Sequence, residues 1–295
     1  MGADRVGQAA DTRARTRTWV AFAVTGCVAA TYAGRIPAVA DRLGLSPGEL
    51  AVAVLGIEGG ALVGLPLGAA VVGRFGASTG LRTGFAVYAP GIGVGAVAPS
   101  LLWLALGLGV WAAANSVVDV ALNARGAQLE RRSGRPLLSG LHAGQGVGLL
   151  LGALAATVAA TLDVPLPVHV CLVGAVALVV GLLAAGPPVD EPAPGPRVRR
   201  RRRPSRPLLL LGAVAFCAFL VDGAATNWIA THLVTDHGVG AGLAAGGYLV
   251  FAAALVAGRL VGDRLVVRFS RRRVVLGCGL AVAAGSAVAS TAPGP

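Results

Sequence analysis

Lysine is absent from this chain: every one of its 25 basic residues is arginine, and Asp and Glu together add 13. Charged residues reach only 13% of the 295 positions while hydrophobic residues reach 55%, where a soluble domain carries about 25% charge. With a mean hydropathy of +0.75, this composition excludes a soluble globular domain and indicates several membrane crossings. Aromatic residues are scarce too, at 5% against 44 glycines, so helices have to pack through small residues that let their backbones approach. The four cysteines, Cys27, Cys171, Cys217 and Cys278, each lie in an apolar segment, with no paired spacing that suits zinc or a redox couple. They read as small hydrophobes. Also missing are a nucleophile with a base at usable spacing, a metal-ligand cluster and a phosphate loop between strand and helix. Neither an enzyme nor a cofactor or metal is expected.

What remains is a series of apolar runs divided by arginines. The formal net charge of +12 reads as topological, because the arginines gather in the gaps between runs, and nucleic acid is not an expected partner. Residues 1–18 are polar and carry Arg5, Arg13, Arg15 and Arg17 ahead of a first span at 19–40. Basic residues there hold the N-terminus in the cytoplasm, and the many spans that follow weigh against a cleaved signal peptide. Further spans are expected to about 73, at 83–98, from 101 to a basic loop at 125–136, at 138–162 and at 168–185. Residues 187–207, rich in proline and arginine, read as a solvated linker. Spans at 208–233, 240–262 and 274–290 complete the chain.

The expected fold is thus an all-α polytopic bundle of nine transmembrane helices. A six-helix half occupies 1–186, a cytoplasmic linker 187–207, and 208–295 holds the first three helices of a second half. Placing the gaps alternately in and out leaves Arg35 and Arg42 on the outer side and Arg259 within a helix. The positive-inside rule is then met at every turn, with the N-terminus cytoplasmic in the cell inner (plasma) membrane.

Polar side chains inside these spans mark the candidate site. Asn115, Asp119 and Asn123 follow one another at every fourth position and share one helix face. A mid-helix acid costs about 2.5–3.5 kcal/mol in lipid, so Asp119 should face protein, water or a solute. Glu58 falls about eleven residues into the second span, near the midplane at about 1.5 Å per residue. It reads as a lumen-facing acid, the alternative being a carboxylate satisfied by a neighbouring group. His142 and Gln145 open the fifth span, and the short loop before them makes helices four and five antiparallel neighbours. That is expected to bring His142 towards Asn123 and Asp119, as an interfacial hydrogen-bonder or a proton relay. In the seventh span Asp222 shares a face with Thr226, and Asn227 and Trp228 follow further outward. Arg35 either snorkels to the interface or binds. Glycines at 56, 60, 64 and 68, and again at 144, 148 and 152, form stripes for close helix packing.

The turn at Val72-Gly73-Arg74-Phe75-Gly76 is echoed by Val266-Val267-Arg268-Phe269-Ser270, which indicates a parallel repeat. The chain resembles the major facilitator superfamily. Gly258-Arg259-Leu260-Val261-Gly262-Asp263-Arg264 with Arg271, Arg272 and Arg273 is similar to that superfamily's cytoplasmic signature loop, which implies a gating role for Arg259 and Asp263. In the first half Gly73 stands where that loop has an Asp. Asp119-Val120-Ala121-Leu122-Asn123 through Glu130, Gly134-Arg135-Pro136, Ser139 and His142, together with Asp222-Gly223-Ala224-Ala225 and Asn227-Trp228, resemble the fucose-permease-like and MosC-like branch. In fucose permeases an acid followed four residues later by Asn on helix four is associated with proton coupling, which the resemblance places on Asp119 and Asn123. Their acid on helix one has no counterpart here, and Glu58 is the candidate substitute.

The resulting expectation is a secondary transporter for a small polar solute, a sugar or polyol, coupled to protons through alternating access. Its partners are the lipid bilayer, the solute and protons; no obligate protein partner is inferred. Asn115, Asn123, Gln145 and Asn227 offer hydroxyl-binding groups, and Trp228 a flat face for a sugar ring. Because the resemblance implies twelve spans, two alternatives stand beside this: a truncated, non-transporting membrane fragment or scaffold, and a drug exporter of the same fold.

Overall fold

A computed structural model describes residues 2–134, 137–186 and 205–291, without the side chains of residues 2–10, 139, 259, 260, 262–264, 267, 271 and 290. Its helices are α1 (Gly2–Leu43), α2 (Pro47–Val97), α3 (Leu101–Ser133), α4 (Leu138–Thr161), α5 (Leu166–Ala185), α6 (Arg206–Thr235), α7 (Ala241–Phe269) and α8 (Arg271–Thr291). All eight contain a stretch long and apolar enough to cross a membrane. The expected nine helices are therefore eight among the described residues.

The difference lies in α2, whose 51 residues at about 1.5 Å each would run far beyond a hydrocarbon core of about 30 Å. One residue inside it leaves helical geometry, Gly76 at φ 83°, a backbone region that glycine enters without a Cβ clash. Its two limbs run in opposite directions. Gly56, Gly60, Gly64 and Gly68 lie against Ala105, Gly109, Ala113 and Val117 in rising order, so the first limb is parallel to α3. Gly80, Gly84, Gly91 and Gly95 meet Ala121, Val118, Trp111 and Leu108 in falling order, so the second limb is antiparallel to it. Arg74 and Arg82 predict a turn from 74 to 82; the chain reverses at a single glycine instead. The start of α2 is fixed by a capping box, in which Ser46 Oγ accepts from Glu49 N at 3.3 Å and Ser46 N donates to Glu49 Oε2 at 2.9 Å.

Several helices outrun the expected spans. α1 extends back to Gly2, α3 forward to Ser133 and α7 to Phe269, so much of the expected basic loop at 125–136 is helical. Arginine is a good helix former and needs no lipid contact, so a helix continues past the interface until a breaker stops it. At the end of α3 the breaker is Gly134 at φ 63°. Of the expected linker, residues 187–204 lie outside the described residues, and Arg206 and Pro207 already belong to α6.

Glycine again sets the contact between α1 and α4. A Cβ at Gly144, Gly148 or Gly152 would strike the carbonyls of Trp19, Ala23 and Cys27, so these helices lie parallel at backbone contact. α4 in turn meets α7: Gly146 faces Val256, Thr157 faces Gly246 and Thr161 faces Gly242, an antiparallel seam along both helices. Phe22, Leu81, Phe85, Tyr88, Leu108 and Leu122 fill the main core among α1, α2 and α3. The outer face of α2 exposes Leu55, Leu62 and Val63, and α6 exposes Leu209, Leu210 and Leu211, apolar surface that suits lipid.

Candidate functional site

Glu58 sits on the first limb of α2, one turn after Val54, with its side chain exposed. Across from it α6 presents Phe216, Phe219, Leu220, Gly223, Ala224, Asn227 and Trp228, and together they line a cleft of about 460 Å³. Asn227 Nδ2 donates to the carbonyl of Gly223 at 2.8 Å, which holds the amide against its own helix. Trp228 is half-buried and packs on the main core built by α1, α2 and α3. Three residues singled out from the sequence, Glu58, Asn227 and Trp228, thus converge from two helices far apart in the chain. A larger cleft of about 540 Å³ lies between the arginine-bearing start of α1 (Thr12, Arg15, Thr16, Trp19) and Leu137, Gly140 and Leu141.

The polar seam of α3 forms a separate group. Asn115 Nδ2 reaches Asp119 Oδ2 at 3.4 Å, while Asn123 Nδ2 donates to the main-chain carbonyl of Asp119 at 2.9 Å. Both bonds stay within the helix, with Asp119 half-buried and Asn123 exposed. One turn before Asn115, Trp111 stacks on Tyr88 at 5.8 Å between ring centroids and tilts against Tyr32 at 5.5 Å. The Tyr88 hydroxyl donates to the carbonyl of Thr25 at 3.1 Å, which ties this aromatic group to α1.

Helices α3 and α4 are joined by a short loop but are not the close neighbours that loop suggested. They touch where Gly126 meets Leu138 and Leu141, and beyond that point α4 packs along α1 and α7. The His142 ring accordingly rests on Phe22 of α1, with centroids 4.6 Å apart. Gln145 is half-buried on the same seam, its main-chain carbonyl against Gly26. The reason is packing: three glycines of α4 fit the α1 backbone more closely than anything on α3 does. Asp222 is half-buried on α6, within electrostatic reach of Tyr248 on α7. Arg259 and Asp263 belong to α7, but their side chains lie outside the described residues. Among the described residues no three of His, Cys, Asp and Glu are placed to ligate one metal ion together.

A family model described as Major Facilitator Superfamily matches residues 18–295. The chain belongs to that superfamily. An uncharacterised MFS-type transporter of Yersinia pestis is 31% identical over 277 residues, covering 92% of this chain and 71% of the relative. An uncharacterised transporter of Sinorhizobium fredii is 30% identical over 260 residues, 86% of this chain and 68% of the relative. The membrane protein MosC of Rhizobium meliloti is 25% identical over 278 residues, with 92% and 67% covered. This facilitator is therefore a multi-pass membrane protein of a transporter family, not an enzyme.

Two features of the facilitator escaped sequence reading. Phe216 and Phe219, which wall the cleft, look from sequence like any lipid-facing aromatics. Arg125, assigned to a basic loop, instead ties three helices together. Its Nη2 donates to Ser78 Oγ and to the Ala185 carbonyl, both at 2.8 Å, and its Nη1 to the Ala184 carbonyl at 3.3 Å. Arg82 Nη1 adds a bond to the Gly186 carbonyl at 2.6 Å. A single arginine just inside a helix end, ahead of the arginine pair at 131–132, was the signal available.

Proposed function

We propose that this facilitator is a secondary active transporter of a small polar solute, a sugar or polyol, coupled to protons and residing in the inner (plasma) membrane with its N-terminus cytoplasmic. The observation that carries this reading is the cleft in which Glu58, Asn227 and Trp228 meet from opposite halves. In it Trp228 supplies an apolar face for a ring, Asn227 its remaining amide groups for hydroxyls, and Glu58 an acid that takes up and releases a proton. Asp119, braced by Asn115, is the second acid for the coupling ion, with Asn123, His142, Gln145 and Asp222 along the solute's route and Arg259 and Asp263 at the gate. The halves, 1–186 and 208–295 with the linker between, rock about the α4–α7 seam.

Reconstituted vesicles loaded with a labelled sugar and polyol panel, under an imposed pH gradient, test this directly. The expected result is gradient-driven uptake of a panel member, reduced at least tenfold by Glu58→Gln and by Asp119→Asn. Uptake indifferent to both substitutions rejects acid coupling.

A second reading, export of an apolar drug, is favoured by one observation: Val54, Phe216, Phe219 and Leu220 make most of the cleft wall apolar. It predicts that a lipophilic dye is extruded from vesicles and that sugars do not compete.

A further inference from the structure

The turn joining α6 to α7, on the face of the bundle opposite the N-terminus, carries a second set of chemically active groups that the transport reading leaves unused. His232 stands in the last turn of α6 and His237 just beyond its end. His232 Nδ1 lies 2.6 Å from Asp236 Oδ2, and the other carboxylate oxygen accepts from the Thr235 hydroxyl at 3.0 Å. An ionised carboxylate only accepts, so His232 carries its proton on Nδ1 and presents a bare lone pair at Nε2. That lone pair is 3.3 Å from Nε2 of His237, with the rings perpendicular and their centroids 4.8 Å apart.

Two nitrogens at this separation, each about 2.0–2.1 Å from a shared point, subtend about 107° there, the tetrahedral angle of a zinc site. The turn is stiff as well. Asp236 N donates to the His232 carbonyl at 3.0 Å, Gly238 N to Val234 at 3.2 Å and Val239 N to Leu233 at 3.0 Å. The rings therefore start close to a binding geometry, and the carbonyl end of α6 favours positive charge beside them.

We propose that His232 and His237 form a site for a divalent transition-metal cation of imidazole preference, such as Zn2+, with Asp236 as the outer carboxylate that fixes the His232 tautomer. His237 takes part by carrying its own proton on Nδ1, so that both Nε2 lone pairs point at the cation. With two protein ligands the cation keeps waters in its other positions, so the site is open and exchangeable. A carboxylate behind a ligating histidine is a recurrent device for orienting the ring and raising its basicity. Occupancy would pin the α6 end to the turn that leads into α7, the helix that forms the seam with the first half.

Calorimetric titration of Zn2+ into the full chain, chelator-treated and held in lipid nanodiscs, decides the matter. One Zn2+ per chain is expected, with at least tenfold weaker binding in His232→Gln and in His237→Gln. Asp236→Asn should weaken it by about tenfold to hundredfold, since Asn at that position no longer sets the charge behind the ring. Co2+ offered instead of Zn2+ should give the visible bands of tetrahedral nitrogen ligation in the unaltered protein, a readout that does not depend on any variant folding. Absence of binding, binding unchanged in both histidine variants, or a Co2+ spectrum like that of the aqueous ion overturns the proposal and leaves the two rings with no partners but each other and Asp236.

Discussion

At the scale of single residues, the polar atoms inside this bundle are held by short-range bonds, mostly to the backbone. Asn115, Asn123 and Asn227 each bond within their own helix, whereas Arg125 bonds across helices, to Ser78 and to the carbonyls that end α5. Those carbonyls have no partner within their own helix, and bonds from a charged donor are worth about 1.5–3 kcal/mol each when lost from a protected site. Arg125→Ala is expected to lower thermal stability in detergent by an amount of that order, and Arg125→Lys by less, because an ammonium cannot span three acceptors in the fork geometry of a guanidinium. Melting of Arg125→Ala equal to that of the unaltered protein would show that the bonds add nothing. The acids, amides and tryptophan of the candidate site were legible in the sequence, since a polar residue inside an apolar run needs an explanation. Their grouping was not. Glu58 and Trp228 are separated by most of the chain, and no local spacing tells that α6 stands opposite α2.

At the scale of helices, glycine position decides which helices touch. Gly60 lies against the Gly109 carbonyl and Gly148 against that of Ala23, while Gly59, one residue away, has open space around it. Adding one methyl group should therefore have opposite effects at adjacent positions. Gly60→Ala and Gly148→Ala are expected to cost about 1–3 kcal/mol by overpacking. Gly59→Ala should be neutral or stabilising by up to about 1 kcal/mol, through helix propensity alone. Melting temperatures of the three variants in one detergent check this, and equal shifts at Gly59 and Gly60 would remove glycine packing as the cause. The stripes themselves were visible as four-residue repeats. Which helix each stripe would meet was visible for neither, and for α4 the short loop pointed to α3 when the true partner is α1. Helix ends were misjudged for a related reason: hydropathy marks where lipid begins, not where a helix of arginines stops.

At the scale of the whole molecule, α7 joins the earlier helices along its seam with α4. A Cβ at position 146 would lie 3.9 Å from the Cβ of Val256, close to the spacing of about 3.8 Å in a disulfide. In a background lacking Cys27, Cys171, Cys217 and Cys278, the pair Gly146→Cys and Val256→Cys should cross-link under mild oxidant. If transport proceeds by rocking about this seam, the cross-link should abolish vesicle uptake and a reductant should restore it. Full uptake by the cross-linked protein would mean that the seam does not move during transport.

Sequence alone determined the solvent of this protein, its helical class and its superfamily, because composition and the spacing of arginines respond to the bilayer one segment at a time. Tertiary structure decided that spans two and three are two helical limbs with only Gly76 out of helical geometry between them, that α4 lies on α1 and not on α3, and that Glu58, Asn227 and Trp228 share a cleft. Lipid is equally apolar to every helix, so hydropathy can say that a segment enters the membrane but not whom it meets there. That choice rests on the fit of backbone against backbone at glycines, a property of pairs of helices which no single stretch of chain carries.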